Sequence, residues 1–176
     1  MGYVHDTAMS LFIPPTAFGF SAGTWALTAA TNVWSMDRTA ADASCTVYMP
    51  IPIPSNSVAL KGARLDSVEF MYSLSGAAAD DFAVATCLIF TDTLSPTAAS
   101  ASGTINTAAA LASTKDTGHD TDAECLAQDE HRMVLTVTTP VWTDNDVAYH
   151  AEFIMDGGAA TVLKVFGGLA NYTLRI

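Results

Sequence analysis

The sequence predicts an all-β protein, a two-sheet antiparallel β-sandwich of jelly-roll-like form with about eight strands and an extended N-terminal arm. Apolar side chains alternate with small or polar ones in segment after segment, as in the run from Val68 to Leu74. This period of two is typical of strands that bury one face, because successive side chains point to opposite sides. Glycine, proline, aspartate and serine separate these segments, as expected for loops between antiparallel strands.

The first 23 residues differ from the rest of the chain. Pro14 and Pro15 exclude a helix there, and four large apolar side chains follow no regular period: Phe12, Ile13, Phe18 and Phe20. We therefore predict an extended arm over 1–23 and a single sandwich domain over 24–176. An exposed arm of this kind would aggregate, so we expect those four side chains to contact another subunit. The alternative is that the arm packs across its own sandwich.

Alternation places the strands of the domain in order. Predicted strands cover 25–34, 45–49, 65–74, 84–90, 132–138, 147–155, 161–166 and 169–176, with a weaker candidate at 104–111. Prolines after position 49 predict an extended exit from the second strand, and Gly167 and Gly168 predict a bend between the last two. Two sets of side chains should each share a face, at least one of them in the core: Val68, Phe70, Tyr72 and Leu74, and Met133, Leu135 and Val137.

Composition narrows the possible functions. Half of the 176 residues are hydrophobic and only 14% are charged, so small residues must cover much of the surface, which suits contact with neighbouring subunits. The net charge of −11 with seven lysines and arginines argues against nucleic acid as a partner, because that binding depends on basic side chains. No apolar run reaches the roughly 18 residues of a membrane-spanning helix, and the first basic residue is Arg38, so we expect neither a membrane partner nor a secretory signal.

The densest group of titratable residues lies in the stretch 116–131. Asp120, Asp122 and Glu124 occupy alternate positions and could supply oxygen ligands to calcium. The spacing is not that of an EF-hand, because Gly118 precedes the acids. We therefore predict a solvated acidic loop without a metal, and calcium at these three residues is the alternative.

Three cysteines, widely spaced, predict neither a disulfide framework nor a zinc signature. Cys45 and Cys87 lie in strand patterns and are expected to be small buried hydrophobes. A zinc site at His119, Cys125 and His131 is disfavoured, because close cysteine pairs are missing.

No motif assembles a catalytic site. The sequence lacks a nucleophile elbow, a zinc-protease helix, a phosphate loop and a dinucleotide-binding loop. Neighbouring acids occur at Asp80–Asp81 and Asp144–Asp146. Adjacent acids point to opposite faces of an extended chain, unlike glycosidase acids, and acids in such short groups are common in turns. His150 lies within a strand and should face solvent or a neighbour. We predict that the protein is not an enzyme and uses no cofactor.

Aromatic residues offer another function, a platform on which sugar rings stack. The candidates are Trp25, Trp34, Trp142, Tyr48, Tyr72 and Tyr149. Trp25 and Trp34 are nine residues apart and would face opposite sides of one regular strand. We therefore expect these aromatic rings to belong to the core.

Two segments, 61–74 (KGARLDSVEFMYSL) and 131–142 (HRMVLTVTTPVW), carry a family resemblance together with the alanine-containing last strand. Over roughly residues 24 to 176 the chain resembles small β-sandwich structural proteins of tailed bacteriophages. That resemblance implies a capsid-decorating or otherwise virion-associated subunit, synthesised in the host cytoplasm without a signal peptide. Its implied partners are further copies of the chain in a homo-oligomer and a major capsid or other virion protein. The alternative is a carbohydrate- or receptor-binding β-sandwich, calcium-dependent if the acidic loop binds the ion.

Overall fold

Two antiparallel sheets pack face to face in the computed structural model, which describes residues 5–55, 62–82, 84–94, 106–144 and 146–175. The strands are β1 (Asp6–Ile13), β2 (Gly19–Phe20), β3 (Trp25–Ala30), β4 (Val33–Arg38), β5 (Ala43–Ile51), β6 (Ala63–Ser75), β7 (Asp81–Phe82), β8 (Leu88–Leu94), β9 (Asn106–Leu111), β10 (Ser113–Lys115), β11 (Glu130–Val137), β12 (Val147–Gly157) and β13 (Val162–Arg175). The described part of the chain also contains one short helix, α1 (Asp122–Cys125), and two 3-10 turns, Pro15–Ala17 and Val84–Thr86. The predicted all-β sandwich is confirmed.

Sheet I has the strand order β10-β11-β6-β13-β4-β3, with β1 also paired to β13. Sheet II has the order β2-β5-β12-β8-β9, with β7 also paired to β12. The core lies between the two sheets. Its centre is Phe70 of β6, whose ring stacks on Phe153 of β12 with centroids 4.0 Å apart. Both predicted shared faces, that of β6 and that of β11, are buried there.

Strand β13 is the centre of sheet I and has two partners along one edge. Leu163–Val165 pairs with β4, and Gly168–Arg175 pairs with β1. Between them Phe166 is an extra residue relative to β6, and Gly167 adopts a φ of 129°. A Cβ on Gly167 would lie 2.7 Å from the carbonyl oxygen of Ile13, so glycine is required where β1 approaches.

Several predicted strand boundaries need correction. The segment 25–34 is not one strand but most of a hairpin, because the chain turns at Asn32, which has a φ of 66°. Asparagine tolerates that left-handed conformation, so alternation continues across the turn without a glycine to mark it. The predicted strand 84–90 begins with a 3-10 turn, and the strand itself is Leu88–Leu94. The last two predicted strands are one strand with a bulge.

The N-terminal segment does not stand apart from the domain. Residues 6–13 form β1, which pairs with β13 of the same chain, as the alternative expectation described. The reason is the free edge of β13 beyond Gly167, which β4 leaves unpaired.

Candidate functional site

The β3–β4 hairpin carries an exposed apolar surface. Three of the seven large hydrophobic side chains that the described residues leave exposed lie on this hairpin: Leu27, Val33 and Trp34. We call Leu27 and Trp34 the hairpin surface. Leu27 is 51% exposed and Trp34 is 47% exposed. They share one side of the hairpin, because Leu27 pairs with Met36 and Trp34 pairs with Ala29, and Val33 lies on the other side.

The hairpin projects because β13 holds only its base. Strand β4 pairs with β13 through Met36–Arg38, whereas Val33–Ser35 has no partner there because β1 takes over that edge at Gly168. Strand β3 is the last strand of sheet I in the described part of the chain, so its outer edge has no partner strand. Trp34 therefore lies on the two-stranded part of the hairpin that extends beyond β13, whereas Leu27, opposite Met36, lies beside its base.

Polar contacts fix the base of this ribbon. Arg38 is 1% exposed and donates to the carbonyl oxygen of Ala43 at 2.7 Å. Asp37 accepts a hydrogen bond from Thr28 across the ribbon at 2.9 Å and lies 3.7 Å from Lys164 of β13. These contacts tie the base of the hairpin to β13 and to the start of β5.

The four arm residues predicted to contact another subunit divide into two groups. Ile13 and Phe18 are buried in the core of their own chain, and Phe18 stacks near Phe70. In this single chain the two side chains pack in its own core, and a subunit contact through them also stays a prediction. Phe12 is 48% exposed, and Phe20 is half-buried and stacks on Trp25. A contact through Phe12 or Phe20 stays a prediction.

The tryptophans are not all core residues, contrary to the sequence-based expectation. Trp25 and Trp34 lie on the same side of the hairpin, because the turn at Asn32 places them on two different strands. Trp25 is half-buried, whereas Trp34 is exposed. Trp142 is half-buried beneath the guanidinium of Arg175, 3.9 Å from its ring centroid. Of the tyrosine candidates, Tyr72 and Tyr149 are buried and Tyr48 is partly exposed.

The acidic residues considered for calcium are engaged locally. Glu124 belongs to the capping box of α1, where its carboxylate accepts hydrogen bonds from the backbone N–H of Thr121 at 3.1 Å and from the Thr121 hydroxyl at 2.8 Å. A hydrogen bond with Glu124, and the charge of that residue, raise the pKa of Asp120. Within the described ranges, no three His, Cys, Asp or Glu side chains are placed to hold a metal ion.

The histidines considered for zinc form a hydrogen-bonded chain. His119 Nδ1 lies 2.8 Å from Asp116 Oδ2, and His119 Nε2 lies 3.3 Å from His131 Nδ1. The other nitrogen of His131 lies 2.9 Å from the carbonyl oxygen of Ala127. Cys125 is not part of this chain: its thiol lies 3.8 Å from the backbone oxygen of His119, and burial raises its pKa to about 11.

A further histidine contact was missed by the sequence analysis. His150 of β12 lies on the outer face of sheet II, where its Nδ1 contacts the carboxylate of Asp92 and its Nε2 lies 3.2 Å from Glu152. Its ring stacks on Phe90 with centroids 5.1 Å apart. Glu152 could have been found, because residues two apart in a strand share a face. Asp92 could not, because the predicted strand ended at residue 90.

The neighbouring acids lie at the surface in the described part of the chain. Asp80, Asp81 and Asp144 are all exposed, and Asn145 lies outside the described residues. On the outer face of sheet I an open groove of about 410 Å³ is lined by Met71, Tyr72, Glu130, His131, Arg132 and Phe166. The arginine of this groove, Arg132, is paired with Glu69. The groove therefore presents no unpaired arginine to a ligand.

Comparison with known proteins adds no family assignment. Neither a scan against protein-family models nor a search of curated proteins finds a match to this chain. None of the helices in the described ranges has the length and apolar character needed to cross a membrane.

Proposed function

We propose that this chain is a non-enzymatic structural subunit, of the capsid-decorating or similar virion-associated kind, that acts through contacts between subunits. The hairpin surface carries the proposal. It places Leu27 and Trp34, each about half exposed, on a ribbon whose outer strand has no partner in the described chain. Such a surface suits burial against another subunit.

The charge pattern of the hairpin supports this proposal. From residue 25 to residue 36 there is no lysine, arginine, aspartate or glutamate. Proteins usually protect an exposed strand edge with charge, proline or a covering segment, because unpaired N–H and C=O groups recruit other strands. The edge of β3 has none of these within the described residues, so a partner that covers it in the assembled state explains the sequence.

The free energy of burying the exposed side chains alone would not drive association, so an assembly contact here would also use backbone pairing or repetition. Burying one large apolar side chain contributes about 1.5 to 3 kcal/mol, so the hairpin surface alone supplies several kcal/mol. Loss of translational and rotational freedom on association costs about 4 to 15 kcal/mol. Backbone pairing along β3, or repetition of the contact in a symmetric oligomer, would supply the remainder.

The surface of sheet I disfavours a polyanion as the partner. Four of the six lysines and arginines on its strands are matched with acids: Arg64 with Asp66, Arg132 with Glu69, Lys164 with Asp37 and Arg175 with Asp6. Phosphate binding draws on unmatched basic side chains that release counterions. The charges of these four pairs offset one another, so a protein partner can cover them with little repulsion.

Native mass tests the proposal directly. Sedimentation of the wild-type chain over a range of concentrations should reveal an oligomer, and Leu27→Asp and Trp34→Asp should shift it to the monomer. Val141→Asp is the matched control, because Val141 is also 51% exposed and lies outside the hairpin. It should leave the mass unchanged. A wild-type chain that stays monomeric at high concentration and does not sediment with capsids would contradict the proposal.

A carbohydrate-binding module remains the second candidate, favoured by the exposure of Trp34. The exposed aromatic rings of the described residues lie on separate strands, Phe12 on β1, Trp34 on β4 and Tyr48 on β5 of the other sheet. A stacking platform needs several rings on one face, so this arrangement favours assembly. Retention of a monomer on a glycan column, lost in Trp34→Ala, would favour the sugar-binding function instead.

A further inference from the structure

The loop between β10 and β11 is joined by a chain of hydrogen bonds that we call the histidine clasp: Asp116, His119, His131 and the carbonyl of Ala127. The chain crosses the loop from its first residue to the start of β11. The ring of His131 stacks on Tyr72 with centroids 4.6 Å apart, and the Tyr72 hydroxyl donates to the carbonyl oxygen of Cys125 at 3.1 Å. The clasp therefore holds the loop and α1 against the end of the core.

Both ends of the clasp are hydrogen-bond acceptors. The carbonyl of Ala127 carries no proton, so His131 must donate through Nε2. Asp116 also accepts from the backbone N–H of Val134 at 2.7 Å. Partial burial raises the pKa of Asp116, but the hydrogen bonds from Val134 and His119 outweigh it and hold the pKa below its usual value. The carboxylate is thus ionised, and His119 must donate to it through Nδ1.

These two donors leave one contact to be explained, the 3.3 Å approach of His119 Nε2 to His131 Nδ1. A neutral imidazole has one N–H, and each ring has already used its own at the end of the clasp. With both rings neutral, two lone pairs would face each other. One additional proton, held between the rings and balanced by the Asp116 carboxylate, converts this contact into a hydrogen bond.

We propose that protonation of the histidine clasp controls whether the 116–131 loop is closed. The clasp closes when the His119–His131 pair takes up one proton from solvent, and it opens when both rings are neutral. Above about pH 6.5, the ordinary imidazole pKa, the rings of an open loop are mostly neutral, so lowering the pH towards that value favours closing. Below it both rings of an open loop take up protons, and closing is no longer favoured. His131 also lines the groove on sheet I. Opening of the loop consequently alters the shape of that groove.

The charged and titratable groups around the clasp come from several elements. Strand β6 contributes Glu69 and Tyr72, β10 contributes Lys115, and β11 contributes Glu130 and Arg132. Cys87 precedes β8. The loop and α1 contribute Asp120, Asp122, Glu124 and Cys125. Burial raises the pKa of Cys87 to about 12, of Cys125 to about 11 and of Tyr72 further still. These three stay neutral near neutral pH. The Asp120–Glu124 pair is fully exposed, so solvent screens its effect on the rings.

The protonation pattern can be read directly from the rings of the wild-type protein. Long-range ¹H–¹⁵N NMR is recorded at about pH 6.5, where an ordinary imidazole is half protonated, and at about pH 8, where it is neutral. At the lower pH we expect His119 protonated on both nitrogens and His131 on Nε2 alone, and at the higher pH His119 should lose its second proton. Two neutral rings at the lower pH, or a proton on Nδ1 of neutral His131, would overturn the proposal.

Amide hydrogen exchange measures whether the proton also fastens the loop. After correction for intrinsic exchange rates, opening of residues 116–131 should be about fivefold more frequent at the higher pH, the change expected for one net hydrogen bond. His119→Gln, which cannot take up the proton, should remove this pH dependence. His150→Gln is the control, since His150 lies on the other sheet. Equal protection of the wild-type loop at both pH values, or an unchanged pH dependence in His119→Gln, would show that the clasp is not proton-operated.

Discussion

The β6–β13 pair and the β3–β4 hairpin are both made of antiparallel strands with alternating apolar residues, yet one is the centre of the core and the other stands largely in solvent. Phe70 of β6 is 1% exposed, whereas Leu27 of β3 is 51% exposed. The difference comes from β13, which pairs with β6 along almost its whole length but pairs with β4 over only three residues. Alternation identifies the apolar face of a strand, and the neighbouring strands decide whether that face is covered.

The largest effect should come from removing β1, the strand that takes the place of β4 along the edge of β13. Deletion of residues 1–20 removes β1 from the edge of β13 and takes Ile13 and Phe18 out of the core. We expect a chain that no longer unfolds cooperatively, measured by circular dichroism during heating. Deletion of residues 1–4, ahead of β1, is the control. A truncated chain that keeps its strands and only fails to assemble would instead restore the hypothesis of an intermolecular arm.

Phe70→Ala should separate the two regions most clearly among single substitutions. Because Phe70 is buried between the sheets, its loss should lower the free energy of unfolding by about 3 to 5 kcal/mol through transfer and cavity terms. Leu27→Ala, on the exposed hairpin, should change it by less than about 0.5 kcal/mol. Denaturant titration of both variants provides the measurement. Similar losses in the two would mean that the hairpin is buried like the core.

A smaller loss is expected from adding one methyl group beside β6. A Cβ on Gly168 would lie 2.5 Å from the sulfur of Met49 and 2.7 Å from the carbonyl oxygen of Glu69. Gly168→Ala should therefore cost about 1 to 3 kcal/mol, the usual range for overpacking. The matched control is Gly118→Ala, whose Cβ meets only Asp116, at 3.7 Å. If both variants melt at the wild-type temperature, sheet I is looser at β13 than the structure indicates.

The smallest effect concerns charge on the outer face of β6. Burial raises the pKa of Glu69, but hydrogen bonds from Arg132 and Asn171 outweigh it and leave the pKa below its usual value. Such a carboxylate stabilises the fold at pH values above its unfolded pKa, and the contribution disappears as pH falls through its folded pKa. In Glu69→Gln the loss of unfolding free energy between neutral and acidic pH should therefore be smaller than in the wild type. The difference should be at most about 1 kcal/mol, because Arg132 is largely exposed and solvent weakens its interaction with Glu69. Melting curves between about pH 3 and pH 7 test this, with the exposed Glu130→Gln as control; identical acid dependence in Glu69→Gln and wild type would contradict it.

The sequence was sufficient to predict the strands that have a partner strand on each side. In β6, β11 and β12 one face is buried along almost the whole strand, so apolar residues recur at every second position and mark both the strand and its inner face. The sequence did not predict β1 as a strand, because most of β1 is exposed and only its end, at Ile13, is buried. A strand of this kind has too few buried positions to show a period.

The candidate site depended on information that alternation does not carry. Trp34 was expected in the core because an asparagine turn was read as part of a strand, and its exposure depends on how far β4 follows β13. The contact between His150 and Asp92 requires the register of β8 against β12. Pairing of this kind joins residues far apart in the chain, so neither feature could be derived from local pattern.

The position of β13 also determines when sheet I can form during synthesis. The central strand of the sheet lies at the end of the described chain, and it joins partners as distant as Asp6, which forms an ion pair with Arg175 across 169 positions. While the ribosome is still adding β12, strands β1, β4 and β6 have no common neighbour to pair with. Sheet formation is therefore a late and non-local event, which slows folding. Until it occurs, β1, β4 and β6 each lack the neighbour that β13 provides, and unpaired strand edges are prone to pair with other chains.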